Sequence, residues 1–208
     1  KKEPHLSKIS SLFTLAGYIN WQMTGEKVIG VGEASGMFPI DINTHDYNQK
    51  MVDLFDEKAA LFGYSFHLRD LLPKTALAGD IAGYLTEEGA KRLDISGNLK
   101  AGIPIAPAEG DAGTGMTATN SVAVRTGNVS AGTSVFGMIV LEQDLKDVHD
   151  EIDLVTTPDG HLVAMAHCNN CTSDLNAWVN LFHEFAKAAG INMSMNDLYG
   201  TLYHKAME

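Results

Sequence analysis

Three short stretches carry residue types that could do chemistry. The first is Gly132-Thr133-Ser134. A turn of this composition between two strands exposes backbone N–H groups and two hydroxyls on one concave side, and such a nest binds phosphate oxygens without a lysine. Gly, Thr and Ser are also ordinary turn residues, so a plain hairpin is the competing reading. The second is Gly110-Asp111, which follows a short apolar strand and precedes a Gly-rich helix. A carboxylate at the end of a strand and the start of a helix lies where α/β folds place ligands. It could accept a proton from a substrate hydroxyl, or it could merely cap the helix. Gly113 and Gly115 weaken that helix and would let a ligand or another segment approach closely. The third is Cys168-Asn169-Asn170-Cys171 with His167 beside it, which has the spacing of a redox or metal pair. With only 2 cysteines in the chain there is no second pair for a structural zinc site. Two small, partly buried residues at a strand-to-helix turn is the stronger reading of this motif. No histidine spacing suggests a metal helix, and no metal ligand is assigned.

The elements that must position these residues follow from periodicity. Apolar residues from Leu6 to Met23 recur at helical spacing and stop at Thr24-Gly25. Residues 28–42 read as short extended or irregular pieces. A helix is expected over 46–62 with Met51, Leu54, Phe55 and Leu61 on its buried side. Leu71-Leu72-Pro73 reads as a turn. Thr86-Glu87-Glu88 opens a helix that runs to about Leu93. From Ile103 the pattern changes to a strand over 103–106, a tightly packed helix over 112–120, and two strands around the turn at 132–134. Pro158-Asp159-Gly160 predicts a hairpin joining strands at 154–155 and 162–165. An amphipathic helix is expected over 173–189, with Leu175, Trp178, Val179, Phe182, Phe185 and Ala186 facing the core. Ser194 and Asp197 make a capping-box-like start for a last helix. His183 and His204 read as surface or interface residues on these helices. Asp144 to Asp147 reads as a solvated linker. Trp21 falls off its helix's main stripe.

The 208 residues fit one large domain or two small ones, and the composition, 45% hydrophobic and 20% charged, is that of a globular chain. The net charge of −11 argues against nucleic acid and anionic membranes as partners. Nothing approaches the roughly 18 consecutive apolar residues of a membrane span. No signal-peptide core follows the first residues, and the low cysteine count makes a reducing, cytoplasmic setting the expectation.

Together the pieces are more specific than each alone. Met23-Thr24-Gly25-Glu26 is followed by Ala34-Ser35-Gly36-Met37, Leu72-Pro73, Gly102-Ile103-Pro104-Ile105, Gly110-Asp111 with Gly113 and Gly115, and Gly132-Thr133-Ser134. This order resembles the middle of an FGGY-family carbohydrate kinase, and the later Leu154-Val155-Thr156-Thr157 and the helix around Trp178 continue it. The resemblance covers essentially the whole chain. It implies an α/β protein with ribonuclease-H-like cores, of the actin-like ATPase and sugar kinase superfamily, containing parts of two domains. Residues 1–122 would be the C-terminal part of the sugar-binding domain, and residues 123–208 the start of the nucleotide-binding domain.

The implied function is ATP-dependent phosphorylation of a sugar hydroxyl on a ketose or polyol, xylulose-like, with ATP and Mg2+ as cofactors. Asp111 would be the catalytic base and would touch the sugar. Gly132, Thr133 and Ser134 would hold nucleotide phosphate, and a closing cleft would exclude water. The expected partners are the small-molecule sugar and ATP, with a homodimer as the candidate assembly, and neither nucleic acid nor membrane. The alternative is a non-catalytic sugar- or nucleotide-sensing relative of the same fold; a third reading, a redox protein built on Cys168 and Cys171, requires a reactive low-pKa thiol. The family's first phosphate hairpin and its adenosine-binding segment are absent. The chain is therefore expected to be an internal piece of a protein of roughly 500 residues, inactive as a kinase on its own.

Overall fold

The computed structural model describes Glu3 and residues 5–208. After a 3-10 turn at Leu6–Lys8, the elements in chain order are α1 (Leu15–Thr24), β1 (Val28–Gly30), α2 (Val31–Ser35), β2 (Ile40–Asp41), β3 (Asp46–Tyr47), α3 (Gln49–Leu61) and α4 (Leu68–Leu71). Then come β4 (Lys74–Ala76), β5 (Gly83–Tyr84), α5 (Glu87–Leu93), β6 (Pro104–Ile105), α6 (Asp111–Ala118), β7 (Gly127–Ala131) and β8 (Val135–Val140). The last four are β9 (Asp153–Thr156), β10 (Leu162–Cys168), α7 (Thr172–Ala188) and α8 (Met195–Ala206). The chain forms two units. The first comprises residues up to Asn128 together with Met138–Met165, and the second comprises Val129–Gly137 with Ala166–Glu208.

In the first unit β1 pairs in parallel with β4, Val28 opposite Lys74 and Gly30 opposite Ala76. Antiparallel pairs join β2 to β3 and β5 to β6. Four strands form a sheet in the order β7-β8-β10-β9, with Leu162 opposite Thr156 across the β9–β10 hairpin. The main core gathers Ile29, Ala34, Tyr47, Val52, Leu68 and Leu72, with Met37, Phe38 and Ile40 packed on it. Its elements come from β1, α2, β3, α3 and α4, so the strand that precedes α2 is held from several sides. In the second unit α7 packs on α8 over Val179 and Leu198.

Local signals account for several helix ends. Thr86 accepts the Gly89 amide and Ser194 accepts the Asp197 amide, as their capping positions require. Gly25 ends α1 in the left-handed conformation, φ 78°.

Three expectations are corrected. The helix expected from Leu6 to Met23 starts at Leu15, because Thr14 caps it by accepting the Gly17 amide. Upstream, the Leu12 amide pairs with the Leu71 carbonyl instead, at 2.8 Å. The helix expected from 46 starts at Gln49 behind the Asn48 cap, and its inner face is Val52 and Ala59. Met51, Leu54, Phe55 and Leu61 are exposed, Leu61 by 86%. In α7 the inner stripe is Val179, 2% exposed, flanked by half-buried His183 and Ala186. Leu175, Trp178, Phe182 and Phe185 face outward, Trp178 by 62%. The second unit offers α7 a single helical neighbour, which covers one narrow stripe and leaves the aromatic one open. Trp21, without a role in the sequence pattern, stacks on Phe13 with ring centroids 5.4 Å apart and lies under the Lys27 ammonium.

Candidate active site

Asp111 is the first residue of α6. The cap residue is Gly110, which has no side chain to bond the first turn, so Asp111 is not the cap. Thr114 helps close that turn, its hydroxyl donating to the carbonyls of Gly110 and Asp111. One Asp111 oxygen accepts the Ala112 amide at 2.9 Å, and the other has no partner among the described residues. The side chain is exposed. Its open oxygen can accept a proton from a hydroxyl brought to it.

The corner behind Asp111 is tightly built. The Gly30 amide at the end of β1 donates to the Ala108 carbonyl at 2.8 Å. The carboxylate of Glu109 accepts the amides of Gly32 and Glu33, at 3.2 and 2.8 Å. Burial pushes the Glu109 carboxyl up to about 7; the two amide bonds pull it down, and the charge of Glu33 adds to the rise. β9 joins the same corner. Buried Ser35 accepts the Thr156 amide at 3.0 Å, and the Thr156 hydroxyl donates to the Val31 carbonyl at 3.1 Å. Gly113 has a packing reason: a Cβ there would stand 3.0 Å from Pro158 and 3.5 Å from Glu109 Oε2. At Gly115 the nearest group is the Asn128 amide nitrogen, 3.8 Å away, and nothing crowds it.

Glu33, Ser35, Glu109 and Thr156 are the residues that sequence reasoning passed over as chemical groups. The signal available for Glu109 was the glycine pattern around it, Gly30-x-Gly32 on one side and Gly110 with Gly113 on the other. Glycines at such spacing mark places where something polar or bulky comes close to the backbone.

Gly132, Thr133 and Ser134 are brought together at the tip between β7 and β8, in the second unit, whereas Asp111 belongs to the first. The Gly132 amide donates to the Ser134 carbonyl at 2.8 Å. The amides of Thr133 and Ser134 have no partner among the described residues, and a Cβ at Gly132 would find its nearest neighbour 4.0 Å away. Open space above unused amides and two hydroxyls fits phosphate oxygens. The tip is tied to the start of α7, whose Thr172 amide donates to the Gly132 carbonyl at 3.1 Å. Phe136 on β8 stacks on His167 of β10 with ring centroids 4.4 Å apart. Cys168 ends β10 and is exposed, Cys171 precedes α7 and is half-buried, and both are free thiols. His183 bonds the Met193 carbonyl, fixing the turn into α8. No group of three or more His, Cys, Asp or Glu side chains among the described residues is arranged to hold a metal ion. No helix among them is long and apolar enough to cross a membrane.

Residues 1–118 match the model of the FGGY family of carbohydrate kinases, N-terminal domain, and residues 127–202 match that of the C-terminal domain. The chain belongs to the FGGY family of carbohydrate kinases. Its fold is the actin-like ATPase and sugar kinase fold, represented here by a portion of two domains. Among solved structures, xylulose kinase from Rhodospirillum rubrum is similar over 90% of this chain and 36% of its own, with 19% identity and a TM-score of 0.67. Xylulose kinase from Bifidobacterium adolescentis is similar over 92% of this chain and 38% of its own, with 20% identity and a TM-score of 0.64. Glycerol kinase from Plasmodium falciparum, solved with ADP, is similar over 86% of this chain and 34% of its own, with 16% identity and a TM-score of 0.61. The chain spans about a third of the length of these FGGY-fold structures. No curated protein matches it. FGGY kinases use ATP, generally with magnesium.

Proposed function

We propose that this FGGY chain serves ATP-dependent phosphorylation of a sugar hydroxyl, on a ketose or polyol of xylulose-like form, with Asp111 as the base. The observation that carries the reading is the Asp111 carboxylate itself: first in α6 behind a glycine cap, one oxygen steadied by the Ala112 amide and the other open. Phosphoryl transfer asks little covalent chemistry of the protein and much positioning and charge stabilisation. Asp111 would accept the hydroxyl proton as the oxygen attacks the terminal phosphorus. The unused Thr133 and Ser134 amides and their hydroxyls would hold phosphate oxygens in the second unit. Magnesium bound to ATP would supply neutralisation of phosphate charge.

The domain assignment goes with this reading: residues 1–122 as part of the sugar-binding domain and 123–208 as the start of the nucleotide-binding domain. The partners are the sugar and ATP, with a homodimer as the assembly and the cytoplasm as the compartment. The 208-residue chain alone would lack turnover, because a third of such a kinase cannot position two substrates.

The test is ADP release, with ATP, magnesium and a panel of ketoses, aldoses and polyols, by a two-domain kinase carrying this segment. Release that depends on one sugar is the expected result. Asp111→Asn should lower kcat at least a hundredfold while sugar binding by calorimetry stays within a few-fold. Near-normal turnover in that variant removes the base assignment. A folded kinase that releases no ADP with any sugar favours a sensing relative.

A further inference from the structure

The proposed base stands two residues after a carboxylate that the proposed chemistry does not use. Glu109 faces the start of α2, where helix amides lack partners within the helix. Two of them, from Gly32 and Glu33, converge on its two oxygens. Room for the carboxylate exists because the surrounding residues are glycines. A Cβ on Gly30 would stand 2.1 Å from Glu109 Oε1, and one on Gly32 would stand 2.6 Å from Oε2. The arrangement is reciprocal. The Glu33 carboxylate fills the space beside Gly110, where a Cβ would stand 2.3 Å from Glu33 Oε2. The start of α2 is closed by the glutamate that precedes α6, and the start of α6 is flanked by the glutamate in α2. Asp111 is the next residue along.

We propose that Glu109 is a positioning residue for Asp111: by gripping the first amides of α2 it fixes the Gly110 corner, and with it the direction in which the Asp111 carboxylate leaves α6. This rests on the reading of Asp111 as the base. Two convergent N–H donors call for two acceptor oxygens, which a carboxylate supplies. A glutamine supplies one oxygen and turns an N–H2 group toward the other amide. An apolar residue leaves both amides orphaned in a half-buried place. The titratable group facing Glu109 is Glu33 from α2; β1 brings none, and the turn after β9 brings Pro158. A change in this grip when Glu109 ionises would reach Asp111 through the Gly110 backbone between them.

The experiment is a carbon-detected NMR titration of the 208-residue chain between pH 5 and 9, read at the Asp111 carboxyl and the Asp111, Ala112 and Thr114 amides. The wild type should show an inflection near neutrality at these positions. Glu109→Gln should abolish that inflection and displace the same amides, leaving Val179 and Leu198 in the second unit unmoved. In a sugar-phosphorylating kinase carrying the segment, the variant should lose at least tenfold in kcat, with KM for ATP within twofold of the wild type. Asp111 resonances that respond neither to pH near neutrality nor to Glu109→Gln overturn the proposal. The wild-type titration needs no variant to fold. It also separates the two readings: an Asp111 that responds to Glu109, in a folded two-domain kinase that carries the segment and shows no turnover with any sugar, leaves the positioning intact and removes the base assignment.

Discussion

Two places in this chain set a helix start next to residues that could do chemistry, and they are built in opposite ways. At the Glu109–Asp111 corner, glycines admit two carboxylates into space where any Cβ would collide, and backbone bonds from β1, α2 and β9 lock the corner. At the 132–134 tip, the glycine meets nothing closer than 4.0 Å, two amides are unused, and the helix that follows shows its aromatic stripe to solvent. The first place is over-determined and suits a group that must point one way. The second is open and suits a group that must admit a ligand. The difference teaches that glycine has two uses here. In the first corner it makes room for a side chain already present, and at the tip it leaves room for something else.

Substitutions can break that contrast, and the largest effect is expected in the first corner. Gly30→Ala would drive a methyl group into Glu109 and to 2.7 Å from the Ala108 carbonyl, which is backbone and cannot swing aside. A loss of about 3 kcal/mol or more is expected in urea unfolding. A loss below about 1 kcal/mol would show that the corner yields.

Next, and similar in size, is the pH dependence of stability set by Glu109. Its carboxyl is raised from 4.5 to about 7 by burial, so the folded state binds a proton that the unfolded state has released. The contribution is fully present below pH 4.5 and is lost as pH rises through about 7. It amounts to about 3 kcal/mol at 1.4 kcal/mol per pKa unit. Chemical denaturation at pH 5 and pH 8 should show that fall on top of the other groups, and Glu109→Gln should flatten the curve across this window. An unchanged slope in the variant would assign the fall elsewhere.

Smaller effects sharpen the description of the second unit. Val179→Ala should cost about 2 kcal/mol, because Val179 fills the one seam between α7 and α8. Its neighbour Trp178→Ser should stay within about 0.5 kcal/mol, because that ring already faces solvent. Reversed magnitudes would mean that the aromatic stripe is covered in solution. The smallest change is expected for Gly132→Ala, within about 0.5 kcal/mol, since nothing crowds the position. Thermal unfolding of this trio under one buffer gives the ranking directly.

Much of the fold was legible in the chain because it is specified within a few residues. Thr86 and Ser194 announce their helices through one hydroxyl and one amide each, and Pro158-Asp159-Gly160 turns the β9–β10 hairpin through its own backbone preference. Gly110-Asp111 and Gly132-Thr133-Ser134 stand out by composition alone, and they lie where the sequence placed them, at a strand-to-helix turn and a hairpin tip. The burial of α3 and α7 departs from the apolar periodicity for one shared reason. Periodicity says that a helix has an apolar face, but the neighbours decide how wide a stripe is covered and which part of it. For α7 the single partner α8 covers Val179 and leaves Trp178 and Phe185 outside.

What the sequence by itself determined is the order of elements, the family to which that order belongs, and the residue types at the two helix starts. All of these depend on local backbone preference and short spacing. What only the tertiary structure decided is the company those residues keep. Glu109 meets the amides of Gly32 and Glu33 from 77 and 76 residues away, and Thr156 meets Ser35 across 121. No local rule specifies such pairs. They arise when the chain packs and the open amides of one helix start, short of partners and partly shielded from water, are satisfied by the carboxylate that precedes the next.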